Sequence, residues 1–103
     1  MIKEIKNNDF EAVKNAAVAV VDFNATWCGP CRMLAPVFEE LSGEMAGAEF
    51  FACDVDENSD IAAECGIMSI PAVGVFKNGK LMQMNVGFKP KEQLRAFIES
   101  ASN

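Results

Sequence analysis

Apolar and polar positions follow two rhythms along this chain. From Ala17 to Phe23 the residues Ala-Val-Ala-Val-Val-Asp-Phe are almost continuously apolar, as in a strand covered on both faces. Leu34, Val37, Phe38 and Leu41 then recur at i, i+3, i+4 and i+7, with Glu39, Glu40 and Glu44 facing away, and this spacing predicts the chain's strongest helix. Pro30 suits its first turn, where a missing N–H is not needed. Pro36 should kink it by removing one backbone bond, and Gly43 and Gly47 supply stops. Residues 48–55 read as a second buried strand. Asn58 or Ser59 opens a short helix that runs through Glu64 and ends at Gly66. Ala72 to Phe76 is a strand, Lys77-Asn78-Gly79-Lys80 a hairpin turn, and Leu81 to Val86 the returning strand. On that strand Met82, Met84 and Val86 face one way, Gln83 and Asn85 the other. A last helix starts at Lys89-Pro90 and sets Leu94, Phe97, Ile98 and Ala101 at helical spacing. Near the N-terminus, Lys3 to Lys6 alternates weakly as a short strand, and Asp9 can cap a helix in which Phe10, Val13 and Ala17 share a face.

The element order is therefore β-α-β-α-β-α-β-β-α, an α/β chain whose mixed sheet is sandwiched by helices, or α+β if the terminal hairpin is weighed separately. A length of 103 residues is one domain, 1–103, without repeats or linkers. The apolar run from Ala16 to Val21 is far too short to span a bilayer. The first eight residues hold no apolar signal core, so a cytoplasmic location is expected. Nine basic against fifteen acidic residues give a net charge of −6, which argues against nucleic acid or an anionic membrane as partner and otherwise serves solubility.

Chemistry concentrates at Trp27-Cys28-Gly29-Pro30-Cys31, between the buried strand and the strong helix. Residues three apart on a helix have Cβ atoms roughly 5–6 Å apart and a disulfide wants roughly 3.5–4.5 Å, so a small adjustment at the helix end opens or closes the pair. Cys28 falls at or just before the helix N-terminus, where unpaired N–H groups and the helix dipole favour a thiolate and pull its pKa below the ordinary value. Cys31, inside the first turn, should be less exposed and is the resolving thiol. A zinc site would need two further ligands, and Cys53 and Cys65 offer no second close pair. Those two read as small core side chains, with a regulatory thiol at Cys65 as the alternative. The chain has no histidine, so no mechanism can use an imidazole. Asp22, inside an apolar strand, is costly as an unpaired carboxylate and its pKa should rise, unless a core donor satisfies it.

Taken with Val21-Asp22-Phe23, Pro36, Ile70-Pro71, Phe76-Lys77-Asn78-Gly79 and Gly87, these motifs make the whole chain resemble the thioredoxin family. The resemblance implies a central mixed five-stranded sheet flanked by four helices, and a monomer that reduces disulfides in protein substrates. It implies that Cys28 attacks the substrate disulfide, that Cys31 resolves the mixed disulfide, and that the pair ends as a redox disulfide. Asp22 is then the buried acid that deprotonates the second thiol. Ile70-Pro71 resembles the family's cis-proline loop; Trp27, Gly29, Pro30, Ile70, Pro71 and Gly87 would form a flat rim for substrate, with Met68 either in that rim or in the core. The implied partner is a thioredoxin reductase; no cofactor or metal is expected.

Groups that stabilise the attacking thiolate make a dithiol more oxidising. Oxidising relatives place a histidine between the cysteines; Gly29-Pro30 offers none, which favours a reductant over an oxidase or isomerase. A non-catalytic binding module would not need both cysteines and the buried acid. Three positions depart from the family pattern. Asn24 stands where an aromatic residue or serine is common, and Ala72 where threonine is. Ala52 replaces a lysine usually close to the buried acid, so the Asp22 pKa should lie higher than in lysine-bearing relatives.

Overall fold

The computed structural model describes residues 1–103. Its elements are β1 (Ile2–Glu4), α1 (Glu11–Asn15), β2 (Val18–Asn24), α2 (Gly29–Glu44), β3 (Glu49–Asp54), α3 (Ser59–Glu64), β4 (Ala72–Lys77), β5 (Lys80–Val86) and α4 (Lys91–Ala101). This is the predicted order. The five strands form one sheet in the order β1-β3-β2-β4-β5. β1, β3 and β2 run parallel, whereas β4 and β5 join antiparallel, so the sheet is mixed.

Both faces of β2 are covered, which is why its sequence reads as an unbroken apolar run. Ala19, Val21 and Phe23 point into a cluster with Phe10 and Val13 of the α1 region, Ile61 of α3, and Phe51 and Phe76 of the sheet. Val20 points the other way, into a cluster with Leu34, Phe38 and Leu41 of α2 and Leu94 and Ile98 of α4. The i, i+3, i+4, i+7 stripes of the two long helices supply that second layer. Val37 and Phe97 pack at its margin. Pro36 lies inside α2, as expected.

Four local expectations are corrected. β1 spans Ile2–Glu4, beginning one residue before the predicted strand and ending two before its predicted end, because Ile2, Lys3 and Glu4 pair with Phe50, Phe51 and Ala52. α1 ends at Asn15, so Ala17 lies beyond it and is exposed while Ala16 takes the buried place. Gly43 does not stop α2, which continues to Glu44. On β5 the strict alternation fails: Val75 pairs with Gln83 but Phe76 pairs with Leu81, so Met82 is bulged out of register. Leu81 and Met84 therefore approach the same spot, since a Cβ built on Gly74 would meet Met84 Cε at 3.2 Å and Leu81 Cδ1 at 3.4 Å. The hairpin turn is as predicted, with Asn78 at φ 51° and Gly79 at φ 84°. A side chain at Gly79 would also press on the Lys14 carbonyl oxygen at 3.1 Å.

Asn58 does more than open α3. It is fully buried. Its Oδ1 accepts the Asn8 N–H at 2.9 Å, and its Nδ2 donates to the carbonyls of Ile5 and Asp54, both at 3.1 Å. Asn8 Oδ1 in turn accepts the Ile61 N–H at 3.1 Å, so two asparagines clip the β1–α1 loop to α3. Removing the Asn58 amide strands the buried Ile5 carbonyl at about 1–3 kcal/mol, and the Asn8 N–H and Asp54 carbonyl, whose bonds are only part-buried, at less. Asn58→Ala is expected to lower unfolding free energy by roughly 2–4 kcal/mol in a urea titration.

Candidate active site

The dithiol sits where β2 hands the chain to α2. Cys28 is the N-cap of α2, in extended conformation at φ −92° and ψ 112°, and Pro30 occupies the first turn. The Cys31 N–H donates to Cys28 Sγ at 3.3 Å, the capping bond that an oxygen makes in most helices. Sγ of Cys28 thus lies on the positive end of the helix dipole, where a thiolate is stabilised. The two cysteines are joined as a disulfide with Cα atoms 5.3 Å apart. Exposure does not separate them as expected, since Cys28 is 5% and Cys31 4% accessible. What separates them is the cap: Cys28 receives the helix N–H, and Cys31 lies inside the turn.

Asp22 lies beneath, on the α2 side of β2. It is 4% accessible, and its Oδ1 has no hydrogen-bond partner. Burial pushes its carboxyl up to about 7, with the Asn24 amide pulling weakly the other way. That amide donates to the Asp22 backbone carbonyl at 3.2 Å. Burial thus moves the Asp22 carboxyl in the direction expected from the sequence, and the Asn24 amide offsets it only in part. Asp22, Cys31 and Ala52 line one cleft of about 400 Å³, with Glu4 and Arg32 also on its wall. Ala52 is the register partner of Asp22 on β3, and its short side chain leaves the cleft open.

Ile70-Pro71 is cis. Ile70 packs on the small cluster of Ala25, Cys28 and Cys31, which brings the loop against the dithiol. The Gly87 N–H donates to the Pro71 carbonyl at 2.8 Å, so Gly87, at φ 98°, joins the same edge. Trp27 is 68% exposed beside Gly29 and Pro30, which are also exposed. Met68 is 96% exposed, so it belongs to the surface and not the core. Ala72, on β4, is buried.

Two contributors were not singled out from sequence. Asp56 accepts the Trp27 Nε1–H at 2.8 Å and fixes the ring at the rim. The Arg32 guanidinium donates to the Thr26 carbonyl at 2.8 Å and braces the loop before Cys28. The acidic stretch Asp54-Val55-Asp56-Glu57 gave a clue of charge but none of position. Cys53 is buried in the core and Cys65 half-buried at the end of α3, both as free thiols. Burial pushes Cys53 up to about 12 and raises Cys65 as well, so neither forms a thiolate readily. No group of three potential ligands is placed to hold a metal ion.

A disulfide across the first turn of a helix, with a buried acid below and a cis-proline loop facing it, defines a thiol–disulfide exchange protein. Residues 1–100 match the family model described as Thioredoxin. The thioredoxins of Staphylococcus epidermidis and Staphylococcus aureus are each 46% identical over 99 residues, covering 95% of this chain and 95% of the relative. Among solved structures, Malassezia sympodialis thioredoxin is 41% identical with a TM-score of 0.88, over 100% of this chain and 92% of that one. Plasmodium falciparum thioredoxin is 33% identical with the same TM-score of 0.88, over 96% and 98%. This chain belongs to the thioredoxin family, with the family's five-stranded mixed sheet and four helices, and is a disulfide oxidoreductase.

The buried acid has a cost that depends on pH. An unfolded Asp22 releases its proton near 3.8 and the folded one near about 7. Between these values the folded protein holds the extra proton, so stability falls as pH rises through the window. Removing the acid should relieve roughly 4 kcal/mol above the window and little below it. Urea unfolding of the oxidised protein is expected to show Asp22→Asn gaining about 2–3 kcal/mol more over wild type at pH 8.5 than at pH 5.

Proposed function

We propose that this protein reduces disulfides in protein substrates, with Cys28 as nucleophile, Cys31 as resolving thiol and Asp22 as the base for Cys31. The observation that carries the reading is the disulfide closed between Cys28 and Cys31 across the first turn of α2. In the reduced protein the Cys28 thiolate attacks one sulfur of a substrate disulfide, forming a mixed disulfide and releasing the other sulfur as a thiolate. Asp22 takes the Cys31 proton, through a water in the cleft that both residues line. The Cys31 thiolate attacks Cys28 Sγ, the second substrate sulfur leaves, and the two electrons of the dithiol now reside in the substrate. The Asp22 proton passes to solvent or to the departing sulfur.

The reductive direction follows from charge. Gly29 and Pro30 bring no cation to Cys28, and ionised Asp22 disfavours a lasting thiolate at Cys31. Substrate docks on the rim of Trp27, Gly29, Pro30, Ile70, Pro71 and Gly87, where the cis-proline loop offers backbone groups to an extended strand. Met68 extends that rim. The oxidised pair is recharged by a thioredoxin reductase. The protein acts as a monomer, with residues 1–103 as its one domain, and without a metal or cofactor. We place it in the cytoplasm: Cys53 and Cys65 are free thiols, which suits a reducing compartment, and no helix is long and apolar enough to cross a membrane.

Insulin reduction is the direct test. Cys28→Ser is expected to abolish turnover, whereas Cys31→Ser should retain the first attack and accumulate a mixed disulfide visible by mass spectrometry. A Cys31→Ser protein that traps no substrate overturns the assignment. For the base, the resolving step measured by stopped flow should accelerate as pH rises through about 7, where Asp22 ionises. Asp22→Asn should slow that step on the order of 10²-fold, the low end of general-base effects, and flatten this inflection.

A further inference from the structure

The cleft over Ala52 has features that proton transfer at Asp22 does not require. Glu4, Ala52 and Asp22 are consecutive partners across β1, β3 and β2, so their side chains rise from one row on the α2 side of the sheet. Adjacent strands lie about 4.8 Å apart, which puts the Glu4 and Asp22 Cα atoms roughly 10 Å apart with only a methyl group between them. Both ends of that gap are carboxyl groups without a counter-charge. Glu4 forms no ion pair, and Asp22 Oδ1 has no partner although the residue is 96% or more buried. The one cation on the wall, Arg32, spends its guanidinium on the Thr26 carbonyl. The remaining wall is apolar along Ile2, Ala25, Ala35 and Phe38, with Asn24 and Thr26 as its uncharged polar members.

We propose that this cleft binds a primary alkylammonium cation, its ammonium lodged between the carboxylates of Asp22 and Glu4 and its alkyl chain lying on Ile2, Ala35 and Phe38. Two carboxylates are too few for calcium, which takes six to eight oxygens, and the apolar wall is the wrong setting for hydrated magnesium. An ammonium suits the site because it is a compact charge whose N–H donors match the orphan oxygen and the second carboxylate. The cleft, about 400 Å³, has room for a short aliphatic chain. Bound cation favours ionised Asp22, so occupancy moves the Asp22 titration to lower pH. Glu4, Arg32 and Cys31 face the same space, and Cys53 lies near Asp22 from β3. The inference uses Asp22 and Glu4 only as carboxylates, and stands whether or not Asp22 is the base for Cys31.

The test is an NMR titration of the Asp22 carboxyl carbon in the oxidised protein with n-butylammonium chloride. Tetramethylammonium chloride at equal ionic strength controls for screening, and n-butanol for the alkyl chain alone. At ten times its dissociation constant the amine is expected to lower the Asp22 midpoint by about one pH unit, a tenfold change in acidity. An end-blocked tripeptide with a central lysine forms a second arm. Binding by either source upholds the site, and the ratio of the two constants tells which source it prefers. Ala52→Leu, which fills the gap without charge, should abolish the response, and Glu4→Gln should weaken binding several-fold while leaving the fold intact. An equal shift with tetramethylammonium, or undiminished binding in Glu4→Gln and in a folded Ala52→Leu protein, overturns the proposal.

Discussion

Strand β2 has no solvent face, and the rest of the chain is arranged to keep it that way. Val20 and Val21 point to opposite sides of the sheet and both are fully buried. One side is covered by α2 and α4, the other by the α1 region and α3, so all four helices take part in sealing the central strand. Burying a Val or Leu side chain stabilises by about 1.5–3 kcal/mol, and the two clusters contain most of the fully buried side chains. Because β3 and β4 flank β2, its backbone groups are paired on both edges as well. The active site lies at the C-terminal end of this strand, where chain leaves the sealed layer and can expose chemistry without exposing core.

Asp22 is the polar exception inside that seal. The strand that excludes water most effectively also raises the acid nearest to Cys31, so one constraint produces both the core and the tuned carboxyl. Stability and chemistry pull in opposite directions here. The protonated acid is the cheaper one to bury, but only the carboxylate can take a proton from Cys31. A value about 7 leaves both forms populated near neutrality, which is what a group that gives and takes protons requires.

Much of this was legible because burial on two sides and burial on one side leave different periods in the sequence. The unbroken run of β2 and the stripes of Leu34, Phe38, Leu41 and Leu94, Ile98 needed no tertiary information. The dithiol was legible for a similar reason, since Cys28, Pro30 and Cys31 mark a helix start by local chemistry alone. What escaped depended on partners distant in sequence. Met82 was assigned to the face of Met84 because strict alternation has no place for a bulge, which arises only where β5 meets β4. Asn58 looked like an ordinary helix cap, and its bonds to Ile5 and Asn8 could not be inferred fifty residues away. Gly43 was taken for a stop, yet a glycine inside a helix costs only about 1 kcal/mol, which a helix anchored by Leu34, Phe38 and Leu41 tolerates. Asp56 and Glu4 carry no local sequence signal; only the fold sets one on the Trp27 indole and the other on the wall of the cleft.

The same logic explains why residue 52 matters more than its size suggests. Alanine contributes almost nothing to the core, and Phe50 and Cys53 would pack β3 without it. Yet its Cβ stands between two carboxyl groups in one row of the sheet, so its side chain determines whether the space above Asp22 holds protein, water or a solute. A long apolar side chain there would deepen the desolvation of Asp22 and push its carboxyl further up; a cation would pull it down. Alanine does neither. It leaves the acid buried against the protein yet within reach of whatever enters from the β1 edge, so the proton affinity of Asp22 becomes responsive to the solution and is not fixed by the fold alone.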